Sequence, residues 1–216
     1  LGVAQGDPCL VISALNWVGI TRFHRGEYAQ ARELLERAAA LYDQRCHSAH
    51  VLQFGMDFGV FSCAYAGHAL CHLGYPDAAV RMSRRALELS AELAHPFSSV
   101  VAIAYDAMLL QFLGEGEAAG ERAAEAIELS GRHGFPYYHA WSTILRGWAM
   151  AERQELGRGI ELIRDGVDAM RATGTEELWH RSYGTLSGGE KQRGIIASAI
   201  AQDPNVLLLD VPTASL

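Results

Sequence analysis

The sequence predicts a mainly α fold of about four helical hairpins stacked as a solenoid, followed by a C-terminal helix and a short strand-like segment. Three observations carry this prediction. Small residues and turn glycines recur at intervals of 40 to 48 residues. Apolar residues at helical spacing flank every copy, as with Leu34, Leu35, Ala38 and Leu41, or Ala86, Leu87 and Leu89. Beyond residue 174 that register breaks, and a Gly-Gly pair and a wholly apolar run of four residues take its place.

The first three hairpins share one form. Residues 26–31, 74–79 and 114–119 each open with Gly and place Ala five residues later, and a small residue (Gly19, Gly67, Ala107) stands seven residues before each Gly. Small residues let two antiparallel helices approach closely, and Gly supplies the backbone conformation of a tight turn. A fourth, weaker hairpin has Gly147 in the first place, Gln154 where the turn Gly belongs and Gly159 in place of Ala. The units, at 40 to 48 residues, predict long helices.

After these four copies the chain changes character. Two glycines following Ser187 suit the start of a helix better than its middle. Ser187 and Glu190 form an S-x-x-E capping box, the helix continues through Ala201, and Pro204 stops it. Residues 206–209 are apolar throughout, the pattern of a buried strand, and end at Asp210.

Residues 10–173 resemble the tetratricopeptide repeat, with Gly19, Gly26, Ala31 and Ala38 at its small and turn positions. That resemblance implies a right-handed superhelix with a concave face lined by the first helix of each pair. Its groove positions fall on Asn16 and Phe23, then Phe61, His68 and His72, then Met108 and Phe112, then Trp141 and Trp148. Such a groove would be aromatic and apolar and would take a protein helix or extended peptide. The alternative is that long helices bury these same positions against their neighbours.

Residues 186–193 (Leu-Ser-Gly-Gly-Glu-Lys-Gln-Arg) resemble the signature motif of ABC-type ATPases, and residues 206–210 resemble their Walker B strand. In that family the helix start carrying Ser187, Gly188, Gly189, Glu190 and Gln192 would meet the γ-phosphate of ATP held by an opposite subunit. Asp210 would help to hold Mg²⁺. Val211 stands where the resemblance calls for the Glu that activates water, so hydrolysis by this copy is expected to be badly impaired. A phosphate loop needs a Gly-Lys pair, and the chain's one lysine, Lys191, follows Glu190. ATP and Mg²⁺ are therefore expected only if a partner supplies a Walker A loop, with no cofactor when the chain is alone.

Composition narrows the partners. The formal charge is −7, and the 18 basic residues form no stripe of the kind a phosphate backbone requires, which excludes nucleic acid. No apolar run reaches the roughly 18 residues of a spanning helix, since Asp106 splits the best one. The start at Leu1, without Met or a basic n-region, predicts a piece of something longer with no visible secretion signal. Cys9, Cys46, Cys63 and Cys71 contain no CxxC pair and are too sparse for a disulfide scaffold, which points to a reducing compartment, the cytoplasm. Neither His68, Cys71 and His72 nor Cys46, His47 and His50 shows a further ligand at useful spacing, so no metal centre is expected there.

The domain reading is thus 1–173 for the repeats, 174–186 for a seam and 187–216 for a partial ATPase segment. Functionally it predicts a non-catalytic interaction scaffold carrying an incomplete ATP-binding-cassette segment. The alternative is part of an ATP-binding subunit of an ABC transporter, completed by a second ATPase subunit.

Overall fold

The computed structural model describes residues 8–173, and the regular structure among them is entirely helical. In chain order it runs α1 (Pro8–His24), α2 (Tyr28–Leu41), a 3-10 turn (Gln44–Cys46), α3 (His47–Phe54), α4 (Phe58–His72), α5 (Pro76–Leu93), α6 (Pro96–Phe112), α7 (Gly116–His133), α8 (Pro136–Glu152) and α9 (Leu156–Ala172). The expected helix from Ser187, the strand-like run ending at Asp210 and the seam lie outside the described residues.

Helix starts follow local chemistry. Pro76, Pro96 and Pro136 open α5, α6 and α8, where a missing N–H costs nothing and the fixed φ already suits a helix. The turn between the two helices of each pair is the same device four times over. Gly26, Gly74, Gly114 and Gln154 have φ of 75°, 83°, 77° and 66°. Each donates its N–H three residues back, to Phe23, Cys71, Gln111 and Ala151, at 2.9, 2.9, 3.1 and 3.0 Å. The residue after each donates five back, to Arg22, Leu70, Leu110 and Met150, at 3.0, 2.9, 2.9 and 3.0 Å. These paired bonds satisfy the carbonyls that a helix end leaves orphaned. Gln154 keeps this geometry although it carries a side chain.

The small residues mark where paired helices cross. A Cβ on Gly147 would stand 2.7 Å from the Gly159 carbonyl oxygen and 2.9 Å from the Ile163 nitrogen. Ala31, Ala79, Ala107 and Ala119 are wholly buried at the corresponding places.

Consecutive helices pack on one another as α1–α2, α4–α5, α6–α7 and α8–α9, and α4, α6 and α8 also pack in series. Being flanked on several sides, α4 is buried from Phe58 to Leu70, whereas α5 buries only a stripe of Ala79, Ser83, Ala86, Leu89 and Ser90. A line of rings crosses the core through Phe23, Tyr65, Tyr105 and Trp141, with centroids 5.3, 5.0 and 5.1 Å apart. Edge-on and tilted pairs at this distance suit aromatic quadrupoles. Asp106, which interrupts the long apolar run of α6, is accounted for here: it accepts from Ser83 Oγ at 2.6 Å and from Arg122 Nε at 3.0 Å, tying α5, α6 and α7 together.

Two expectations are corrected. The larger interval of the first unit does not come from longer helices; the 3-10 turn and the eight-residue α3 are inserted between α2 and α4. The cysteines are not all free either, because Cys9 at the start of α1 is joined by a disulfide to Cys46 in that insertion. The pairing was invisible in the sequence because 37 residues separate the partners and only the insertion brings them together. Cys63 and Cys71 remain as thiols.

Candidate functional site

The nine residues expected to line a groove divide sharply by burial. Asn16, Phe23, Phe61, His68, Met108 and Trp141 lie in the core and offer no surface, which corrects the open groove at those positions. The physical reason is the packing of first helices against one another as well as against their own partners, so that their broad apolar faces are covered. Asn16 donates to Ser62 Oγ at 2.8 Å inside this core. His68 meets the Tyr105 carbonyl oxygen at 3.0 Å, so that ring nitrogen is the protonated one, and burial drives its pKa down to about 3. It is a neutral core histidine. His72 and Phe112 remain exposed and Trp148 is half-buried. The His72 ring stacks on Tyr28 at 4.5 Å and meets Phe112 at 5.3 Å, forming a small aromatic rim where α4 and α6 end.

A second cluster gathers around Asp57, which the sequence reading passed over because its members come from three separate stretches. The fully buried carboxylate accepts from the Val60 N–H at 2.9 Å, from Tyr42 Oη at 2.5 Å and from His47 Nδ1 at 2.9 Å. The His95 ring lies 5.4 Å from that of His47, and His95 Nδ1 meets Ser98 Oγ at 2.8 Å. On paper this is a Ser-His pair beside an Asp-His pair. Ser98, however, is wholly enclosed, so no substrate carbonyl can reach its hydroxyl. The cluster caps α4 and locks the insertion onto it.

Among the described residues, clefts open on the surface at two places that matter here. One, of about 370 Å³, lies between α2, α4 and α5, lined by Tyr42, Gly59, Cys63, Met82 and Arg85 among others. Burial pushes the Cys63 thiol up to about 12, which leaves it protonated and a poor nucleophile. The other, of about 330 Å³, lies between the α7–α8 layers and mixes Glu117, Glu121 and Glu155 with Arg146, Arg153 and Arg158. Neither holds a nucleophile paired with a base.

The signature and Walker B candidates, Ser187, Gly188, Gly189, Glu190, Gln192 and Asp210, all lie outside the described residues. Comparison with known proteins bears on these. Residues 118–214 match the ABC transporter family. The first part of this match runs over α7, α8 and α9, which keep the register of the preceding hairpins, and the last part contains the signature-like and Walker B-like runs. Among similar proteins, the molybdate/tungstate import ATP-binding protein of Pyrococcus abyssi is 40% identical over 84 residues, covering 38% of this chain and 23% of that protein. The hemin import ATP-binding protein of Gloeobacter violaceus is 49% identical over 69 residues, covering 27% of this chain and 25% of that one. The cobalamin import ATP-binding protein of Halobacterium salinarum is 46% identical over 70 residues, with shares of 29% and 18%. The chain thus spans no more than a quarter of the length of these three relatives. Among the described residues no helix is long and apolar enough to cross a membrane.

Proposed function

We propose that this chain joins a helical-hairpin array to the rear portion of an ABC-type ATP-binding domain, and that it engages nucleotide only as one half of a composite site. The observation that carries this reading is the order Leu-Ser-Gly-Gly-Glu-Lys-Gln-Arg, apolar run, Asp210 within the stretch that matches the ABC transporter family. Ser187, Gly188, Gly189, Glu190 and Gln192 would supply helix-start amides and side chains to the phosphates, and Asp210 would help to hold Mg²⁺. A second subunit, the ATP-binding partner of an importer, would bring the phosphate loop that this chain cannot form around Lys191. Val211 cannot act as a base, so this chain would bring no water-activating acid of its own.

The test is association. The full chain alone should show no saturable micromolar ATP binding by calorimetry, and should associate with a Walker A-bearing ATP-binding subunit only when ATP and Mg²⁺ are present. Changing Ser187→Arg should abolish that association. Tight ATP binding by the chain alone, or association indifferent to nucleotide, would defeat the reading.

A second reading is favoured by His72, Phe112 and Trp148, which keep aromatic surface at the ends and flank of the first helices. In it the array is a right-handed solenoid and a scaffold for a peptide, whose binding would be unaffected by ATP.

A further inference from the structure

The disulfide lies beside a third metal-binding group. The sulfurs of Cys9 and Cys46 and a ring nitrogen of His50 all fall within 4.8 Å of one another. Cys46 and His50 are 2% and 1% exposed, while Cys9 is half-buried. His50 Nε2 sits 3.0 Å from the Cys9 carbonyl oxygen, which can only accept, so that nitrogen carries the hydrogen and Nδ1 carries the lone pair. That Nδ1 is buried and has no hydrogen-bond partner. A buried lone pair without a donor is costly, and it belongs to a ring that has one nitrogen within 4.8 Å of both cysteine sulfurs. The remaining geometry is that of a prepared ligand: a metal-bound imidazole commonly donates its other N–H to a carbonyl, and the Phe58 ring packs roughly perpendicular to this one, with centroids 4.9 Å apart.

We propose that the dithiol form of this chain binds one zinc ion through Cys9 Sγ, Cys46 Sγ and His50 Nδ1, so that disulfide and metal are alternative states of one site. Donors around a tetrahedral zinc stand about 3.5–3.8 Å apart, within reach of this triad after the sulfurs separate. The exchange balances. A dithiol reductant gives two electrons and two protons to the Cys9–Cys46 bond and becomes a disulfide itself. Zinc then displaces the two thiol protons to solvent, and the fourth position falls to water on the Cys9 side.

The experiment uses the full chain with Cys63→Ser and Cys71→Ser, which removes the other thiols. It is reduced anaerobically by a phosphine that is removed before titration with Co²⁺ and then with Zn²⁺ against a chromophoric chelator. One equivalent of Co²⁺ should bind with a thiolate charge-transfer band, zinc should displace it, and the oxidised chain should bind neither at that site. His50→Phe, which keeps the packing on Phe58, should weaken zinc at least about tenfold. Should that variant lose its helical circular dichroism, the half-exposed Cys9→Ser serves instead and should diminish both the band and the affinity. No band in the reduced chain, equal binding by the oxidised chain, or unchanged affinity in the folded variant would overturn the proposal.

Discussion

His68 is enclosed between α4 and α6, and its neutrality has a cost that depends on pH. Burial, and secondarily the charge of His72, lowers its folded pKa to about 3, below the roughly 6.5 of an unfolded chain. Between these values the unfolded chain binds the extra proton, so stability rises with pH across the window and is lost as pH falls from about 6.5. The slope reaches about 1.4 kcal/mol per pH unit for one such group. His95, also lowered by burial and by His47, acts in the same direction. Carboxylates held low by arginines, Glu27 beside Arg22 and Asp43 beside Arg45, lose their stabilisation only in more acidic solution. Urea unfolding at pH 7 and pH 5 should therefore show a drop that His68→Gln reduces, since Gln can still donate to the Tyr105 carbonyl. An identical drop in that variant would mean that His68 is not the group responsible. Gln154 poses the opposite problem, a side chain in a left-handed turn that its three counterparts assign to Gly. Gln154→Gly should raise stability by about 0.5–1 kcal/mol, the relief of αL strain less the added entropy of the unfolded chain, and a scanning melt would register it.

At the scale of elements, the crossing of α8 and α9 is the closest approach among the described helices that a substitution can probe cleanly. Gly147→Ala places a methyl group against backbone atoms of α9 and should destabilise by about 2 kcal/mol, because backbone cannot rotate aside as a side chain can. Gly157→Ala meets nothing within 4 Å and should be neutral or slightly stabilising, which makes it the control. The disulfide gives a larger effect. Its 37-residue separation corresponds to about 3–4 kcal/mol of loop-closure entropy, so metal-free reduction should lower the melting temperature by on the order of 10 °C. A Cys9→Ala variant should melt at the reduced value whatever the reductant. These elements also show what could be read from the residues alone. Gly26, Gly74 and Gly114 announced their turns because a positive φ has few other tenants, and Gly147 with Gly159 announced a crossing because only small residues fit there. The insertion carried no such mark. Its α3 is short and has no small-residue register, and the ties that hold it, through Asp57 and Cys9, come from parts of the chain that only the fold unites. The groove failed for another reason: Phe61, Met108 and Trp141 are equally suited to a binding face and to a core, and periodicity reveals a face without saying what covers it.

For the molecule as a whole, the described hairpins possess a core of their own, so removal of residues 183–216 should leave a cooperatively melting helical protein. Loss of cooperativity after that truncation would make the C-terminal segment part of the fold. Within the array the neighbours are unequally shared. α4 packs on α1, α2, α5 and α6, while α9, among the described residues, packs chiefly on α8 and leaves Leu156 and Ile160 60% and 46% exposed. Opening free energies should grade accordingly. In native-state hydrogen exchange the amides of α9 would trade with solvent first, by a local fraying that leaves the rest intact, and those of α4 and α6 last, near the global limit. Among the described helices the array would then come apart with a polarity, from α9 toward the end that the Cys9–Cys46 bond holds shut.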